Sequence, residues 1–148
     1  MEFATPAVQA AYERIAPLIK ELFGEFVYTD PNSPIFGISI GSAYAQIAPS
    51  PYGNDDATIR AWSWVVTGAE TTPELMLYLL NANVNLRFGG YGIDDVGDIL
   101  FHHTIMARTC DKEELRTTIM AVISTADRAD DEIIAKFGGQ RSADRSRA

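Results

Sequence analysis

A chain of 148 residues is long enough for one domain with its own core, and a composition 47% hydrophobic and 22% charged is globular rather than disordered. A formal net charge of −8 argues against nucleic acid as a partner, because such a body repels phosphate backbones. No apolar run approaches the ~20 residues that cross a bilayer, no basic-then-apolar leader is visible at the N-terminus, and the single Cys110 leaves no internal disulfide or multi-cysteine metal site.

The expected address is therefore cytoplasmic, without a membrane partner. The charge is uneven: the last nine residues, QRSADRSRA, hold three arginines against one aspartate. This divides the chain into a single acidic domain over 1–139 and a disordered basic tail over 140–148.

Thr5-Pro6 marks a helix start, and Val8, Tyr12, Ile15, Ile19, Leu22 and Phe23 recur at helical spacing up to Gly24. Pro17 is a candidate kink or division within that helix. FVYT (26–29) reads as a short strand and DPNSP (30–34) as a turn. From Ile35 to Ile47 the alternation predicts one strand. One of its faces holds Phe36, Ile38, Ile40 and Tyr44; the other is a stripe of small residues, Gly37, Ser39, Gly41, Ala43 and Ala45. Such a stripe admits a close neighbour, most often a packed helix. APSPYGNDD (48–56) reads as a long polar connection before a third strand over 57–68, whose alternation puts Arg60, Trp62 and Trp64 on one face.

Thr72-Pro73 opens a second helix, PELMLYLLNANVNL, apolar on nearly every side. Burial on all sides in so small a domain calls for a second subunit as well as the domain's own sheet. Strands over 87–93 and 97–107 follow, joined by an acidic turn, and Asp111 caps a last long helix ending at Gly138-Gly139. The predicted order is α-β-β-β-α-β-β-α: an α+β fold with an antiparallel sheet packed by helices.

The chemistry in the pattern is sparse. His102 and His103 are strand neighbours, so they point to opposite faces and cannot chelate one metal together. Asp94, Asp95 and Asp98 around Gly97 lack the spacing of a calcium loop and suit a tight turn. Gly89-Gly90-Tyr91-Gly92 lacks the lysine and following helix of a phosphate loop. Cys110 opens a helix, but three acids follow it and oppose thiolate formation. No cofactor, metal or catalytic residue is expected from these patterns.

LLNANVN (79–85) leading into FGGYGID (88–94) and then GDILFHHTI (97–105), set in the element order above, resembles the YbjN-like and type III secretion chaperone-like superfamily of small peptide-binding proteins. The likeness runs from about residue 8 to residue 137. It implies a non-enzymatic, chaperone-like fold, often homodimeric, that binds segments of partner proteins. The residues matching the family's dimer-forming region are Leu75, Met76, Tyr78, Leu79 and Leu80 in the second helix, with Phe101 and His103 in the strand over 99–105.

The expected function is a homodimeric protein-binding module that holds a segment of a client protein or peptide. Phe36, Tyr44, Arg60, Trp62 and Trp64 are its candidate contacts. Two other readings compete with it. One is a small-molecule or metal-dependent enzyme using Asp94, Asp98, His102 and His103; the other is a structural subunit that pairs only with itself.

Overall fold

A computed structural model describes residues 1–145 of the chain. Helix α1 (Pro6–Phe23) starts at Thr5, whose hydroxyl accepts the Val8 N–H at 3.2 Å, a cap worth about 1 kcal/mol. It runs unbroken through Pro17 and turns Val8, Ala11, Ile15, Ile19 and Phe23 inward. A single 3-10 turn leads into β1 (Val27–Thr29), and β2 (Phe36–Ile40), β3 (Ala43–Tyr52) and β4 (Asp56–Thr67) follow by hairpins. Helix α2 (Pro73–Val84) then crosses to β5 (Gly90–Ile93) and β6 (Ile99–Met106), and α3 (Lys112–Phe137) closes the main fold. Every pairing is antiparallel, in the order β1-β2-β3-β4-β6-β5.

The predicted strand over 35–47 is in fact a hairpin. Gly41 adopts φ +62, a left-handed conformation that glycine reaches without strain, and the chain reverses at Gly41-Ser42. The reversal changes which side chains share a face. Ala43 pairs with Ile40 and Ala45 with Ile38, so both alanines join the buried side, while Tyr44 pairs with Ser39 on the other. The predicted small stripe therefore does not exist as one surface. Gly37 is small for a different reason: a Cβ there would lie 2.2 Å from the hydroxyl oxygen of Tyr44, whose ring lies across it.

The polar connection predicted over 48–56 is mostly strand. β3 continues to Tyr52, which pairs with Asp56, and the turn between them is three residues long. The tail also differs from expectation. Gln140–Arg141 forms a short strand, β7, against Val66 and Thr67 of β4, followed by the short helix α4 (Ser142–Arg145). Arg141 pairs with Asp130 at 3.5 Å and with Asp131 of α3. Charge pairing, invisible in a composition count, holds the segment. The remainder of the predicted tail, residues 146–148, lies outside the described residues.

The long helices α1 and α3 lie on one side of the sheet. Along β4, Ala57, Ile59, Ala61, Ser63 and Val65 are buried under α1 and α3, alternating with Thr58, Arg60, Trp62 and Trp64. The core gathers Ile15, Ile19, Ile38, Ile47, Ile59, Leu75, Ile99, Phe101, Leu115, Ile119 and Ile133. At the β5 edge, the Asn83 side chain accepts the Tyr91 N–H at 2.7 Å and donates to the Tyr91 carbonyl at 3.2 Å. This imitates a neighbouring strand and closes the edge to further pairing at that residue. A carboxylate clamp ties the β2–β3 turn to α3: Ser42 donates its N–H to Asp127 at 2.9 Å, and its hydroxyl sits 2.7 Å from the same oxygen.

Candidate functional site

The face of the sheet away from α1 and α3 is where the candidate partner contacts collect. Antiparallel pairs share a face, so the registers assign the side chains directly. Gln46 pairs with Trp62, Trp62 with His102, and Trp64 with Leu100. Arg60 pairs with Ala48 and with Thr104, and Tyr28 with Gly37 across the β1 edge. Tyr44, Arg60, Trp62 and Trp64 therefore lie on one face, away from α1 and α3, together with Tyr28 and His102. Tyr28 is 59% exposed and Tyr44 44%, while both tryptophans are half-buried.

The two tryptophans are fixed from opposite ends. The Arg60 guanidinium stacks over Trp62 at 5.4 Å from the ring centre, a cation–π contact worth about 0.5–1 kcal/mol at an exposed site. Trp64 donates its indole N–H to Asp94 Oδ2 at 2.9 Å. The other oxygen of Asp94 accepts the N–H groups of Val96 and Asp98 at 3.1 and 2.9 Å. These bonds, with the one from Trp64 leading, hold the Asp94 carboxyl below its usual range. The acidic turn is therefore scaffold, and one of its carboxylates sets the orientation of a surface tryptophan.

Phe36 is a correction to the partner set. It is 2% exposed on the helix side, where its ring stacks on Tyr12 with centres 4.8 Å apart. The alternation that grouped it with Tyr44 fails at the Gly41 reversal. Tyr28 was overlooked for want of a periodic signal, since a three-residue strand is too short to show alternation.

The candidate dimer residues also separate. Leu75 and Leu79 are 0% and 4% exposed, and Phe101 is fully buried against Tyr91 at 5.1 Å. These three fill the protomer's own core and have no surface to offer a second subunit, which corrects their expected place in a dimer contact. Tyr78 is half-buried between Phe137, 5.3 Å away, and the Lys136 ammonium, 4.7 Å above its ring. Met76 and Leu80 face outward, 42% and 63% exposed. Leu77 at 60% and Val84 at 82% extend the same stripe, missed because an all-apolar helix hides which side turns inward.

The enzymatic alternative loses its geometry. His102 lies on the open face, paired with Trp62, whereas His103 pairs with Ala61 on the helix side and meets Phe88 edge-on at 5.9 Å. Burial lowers the pKa of both imidazoles, with Arg60 and then His103 adding to the effect at His102, while Glu114 opposes it at His103. Asp98 is 6% exposed and accepts the Gly68 N–H at 3.1 Å. Among the described residues no three metal-binding side chains cluster. Cys110 is buried, and burial followed by the nearby Glu114 pushes its thiol up to about 11, away from nucleophilic use. The loop carrying it is held by Arg14, which donates to the carbonyls of Arg108 and Cys110 at 2.9 Å each and to that of Ala107.

Among the described residues no helix is long and apolar enough to cross a membrane. The chain shares its architecture with solved secretion chaperones. One is the Yersinia pestis type III secretion chaperone SycH, solved with a stable fragment of YscM2. It superposes with a TM-score of 0.57 at 12% identity, covering 78% of this chain and 96% of that one. Another is the HopA1–SchA chaperone–effector complex, with a TM-score of 0.59 at 14% identity over 86% of this chain and 99% of that one. At such identities these matches speak for the fold alone. No curated protein matches the sequence. The profile of one family, described as T3SS (YopN, CesT) and YbjN peptide-binding chaperone 1, matches residues 9–145. An antiparallel sheet covered by helices on one side agrees with that match, and the chain belongs to this family of peptide-binding chaperones, a family of binding proteins rather than enzymes.

Proposed function

We propose that the protein holds a segment of a client protein on the open face of its sheet, working as a homodimer in the cytoplasm. The observation that carries this reading is the row of Tyr44, Arg60, Trp62 and Trp64 on the sheet face away from α1 and α3. Both tryptophans leave part of their rings open to solvent, and at interfaces large aromatics and arginine supply most of the binding energy. Arg60 over Trp62 and Asp94 behind Trp64 hold the rings in place before a client arrives, which lowers the entropy lost on binding. The family's peptide-binding role and the chaperone–effector complex among structures of the same fold support a client that is itself a protein.

The homodimer rests on the outward stripe of Met76, Leu77, Leu80 and Val84, an exposed apolar surface of the kind that a second subunit covers. His103 and Tyr78 take at most a flanking part in that contact, and Leu75, Leu79 and Phe101 support it from behind.

The deciding experiment is affinity capture from host lysate with the unaltered protein, Trp62→Ala and Trp64→Ala, each variant first checked for folding by near-ultraviolet circular dichroism. The expected result is one stoichiometric protein captured by the unaltered chain and lost with either folded variant. Equal capture by all three would move client binding off this face.

A further inference from the structure

A groove of about 370 Å³ lies on the helix side of the molecule, between the segment after α2 and the middle of α3. Its lining mixes the apolar side chains of Phe88, Met120 and Ala121 with the cations Arg87, Arg116 and Arg128 and with threonine and serine hydroxyls. No carboxylate lines it, although the protein carries 20 acidic residues against 12 lysines and arginines. Three of those twelve cations line this one groove beside its apolar side chains.

Two of the three cations are also unpaired by carboxylates. Arg87 and Arg128 make no ion pair among the described residues, and Arg128 spends only its Nε, on the Ser124 carbonyl at 3.1 Å. Arg116 shares its charge with Glu113 one turn earlier, at 2.7 Å. Phe88, which lines the groove, is a large ring left 44% exposed.

Spacing decides what kind of anion this arrangement suits. Arg116, Met120, Ser124 and Arg128 recur every four residues along α3, so the two arginines lie about 18 Å apart along the helix axis. That is too far for one phosphate to bridge. It matches an elongated segment with carboxylates at both ends and apolar side chains between them, the pattern of a helix docked in a groove.

We infer that this groove docks an acidic amphipathic segment of the client, with apolar side chains on Phe88 and Met120 and carboxylates on Arg87, Arg116 and Arg128. The inference rests on the client-binding reading above and adds a second contact region, with its own chemistry, on the opposite side of the sheet. Charge complementarity makes the attraction selective, since the acidic body around the groove repels a similar segment elsewhere.

The test uses the full chain and a fluorescein-labelled peptide of about 16 residues, long enough as a helix to span that distance. The peptide carries glutamates at both ends and leucine, phenylalanine and alanine between; its counterpart has lysine for every glutamate. Fluorescence anisotropy is expected to show binding of the acidic peptide only. The affinity should fall at least tenfold in Arg87→Glu/Arg128→Glu, and fall again as salt rises from about 50 to 300 mM. Both residues are exposed on the surface, so the variant keeps its fold and its mass. The groove assignment is overturned if both peptides bind alike, or if the double variant binds the acidic peptide unchanged. It is equally overturned if inorganic phosphate at constant ionic strength displaces the peptide, which indicates a compact anion site, or if the variant changes oligomeric mass, which makes the groove a contact between copies. Client capture that survives Arg87→Glu/Arg128→Glu but is lost with Trp62→Ala removes the groove and keeps the open face; capture lost with neither removes both.

Discussion

The two faces of one strand, β4, have opposite fates. Ala57, Ile59, Ala61, Ser63 and Val65 point under the helices and are nearly sealed from water, whereas Thr58, Arg60, Trp62 and Trp64, the alternating neighbours, meet solvent. The larger residues lie on the outer face. In a sheet covered on one side the inner face is set by volume, and small alanines let α1 and α3 approach closely. The outer face has no such limit, and its bulky aromatics are held by neighbours on that face, Arg60 over Trp62 and Asp94 on Trp64, with part of each ring left open to solvent. The same division runs through β6, where Phe101 is buried and His102 faces out.

That comparison can be broken most forcefully from the inner side. Phe101→Ala removes a fully buried ring and is expected to cost about 3–5 kcal/mol, read as a lower urea midpoint. A loss no larger than that of an outer-face substitution would erase the distinction between the faces. Asp94→Ala tests the link between the turn and the outer face, because it removes acceptors for Trp64, Val96 and Asp98. A loss of about 2 kcal/mol is expected, with altered tryptophan fluorescence. Its pH dependence has a definite sign. The folded protein lowers the Asp94 pKa, so this stabilisation is present above the ordinary carboxylate range and disappears as pH falls through the depressed value. Unaltered protein should lose this increment in acid, whereas Asp94→Ala has none to lose.

Trp62→Ala sharpens the comparison from the outer side. Loss of this half-buried ring and its one cation–π contact should cost about 1–2 kcal/mol of stability, well below the Phe101 loss, while abolishing client capture. Leu80→Glu is expected to move stability least, by about 0.5 kcal/mol, because the side chain already faces water. Its effect should appear in light scattering, as a halved mass. A folded Leu80→Glu protein that keeps a dimer's mass would take α2 out of the interface. Leu79→Glu offers no such test, since burying a charge at a 4% exposed position disrupts the fold itself.

The helices were legible because their signals are local. Thr5, Thr72 and Asp111 each accept an N–H three residues on, and each precedes a helix at the expected place. The antiparallel sheet followed from short connections. The candidate site was only partly legible. Alternation placed Arg60, Trp62 and Trp64 on one face, but could not say whether that face was covered. Phe36 and Tyr44 were grouped because Gly41 looks like one more small residue in a strand when only its neighbours are read.

What the sequence by itself determined is what depends on residues a few positions apart: the helix starts, the strand alternation, the acidic turn, the inability of His102 and His103 to act together, and the likeness to a chaperone family. Tertiary structure alone decided which side of the sheet the helices cover, which half of α2 turns outward, that Gln140 and Arg141 form a strand on β4, and that Arg87, Arg116 and Arg128 meet around one groove. Those outcomes depend on contacts between residues tens of positions apart. They are set by volume and charge that no local pattern records.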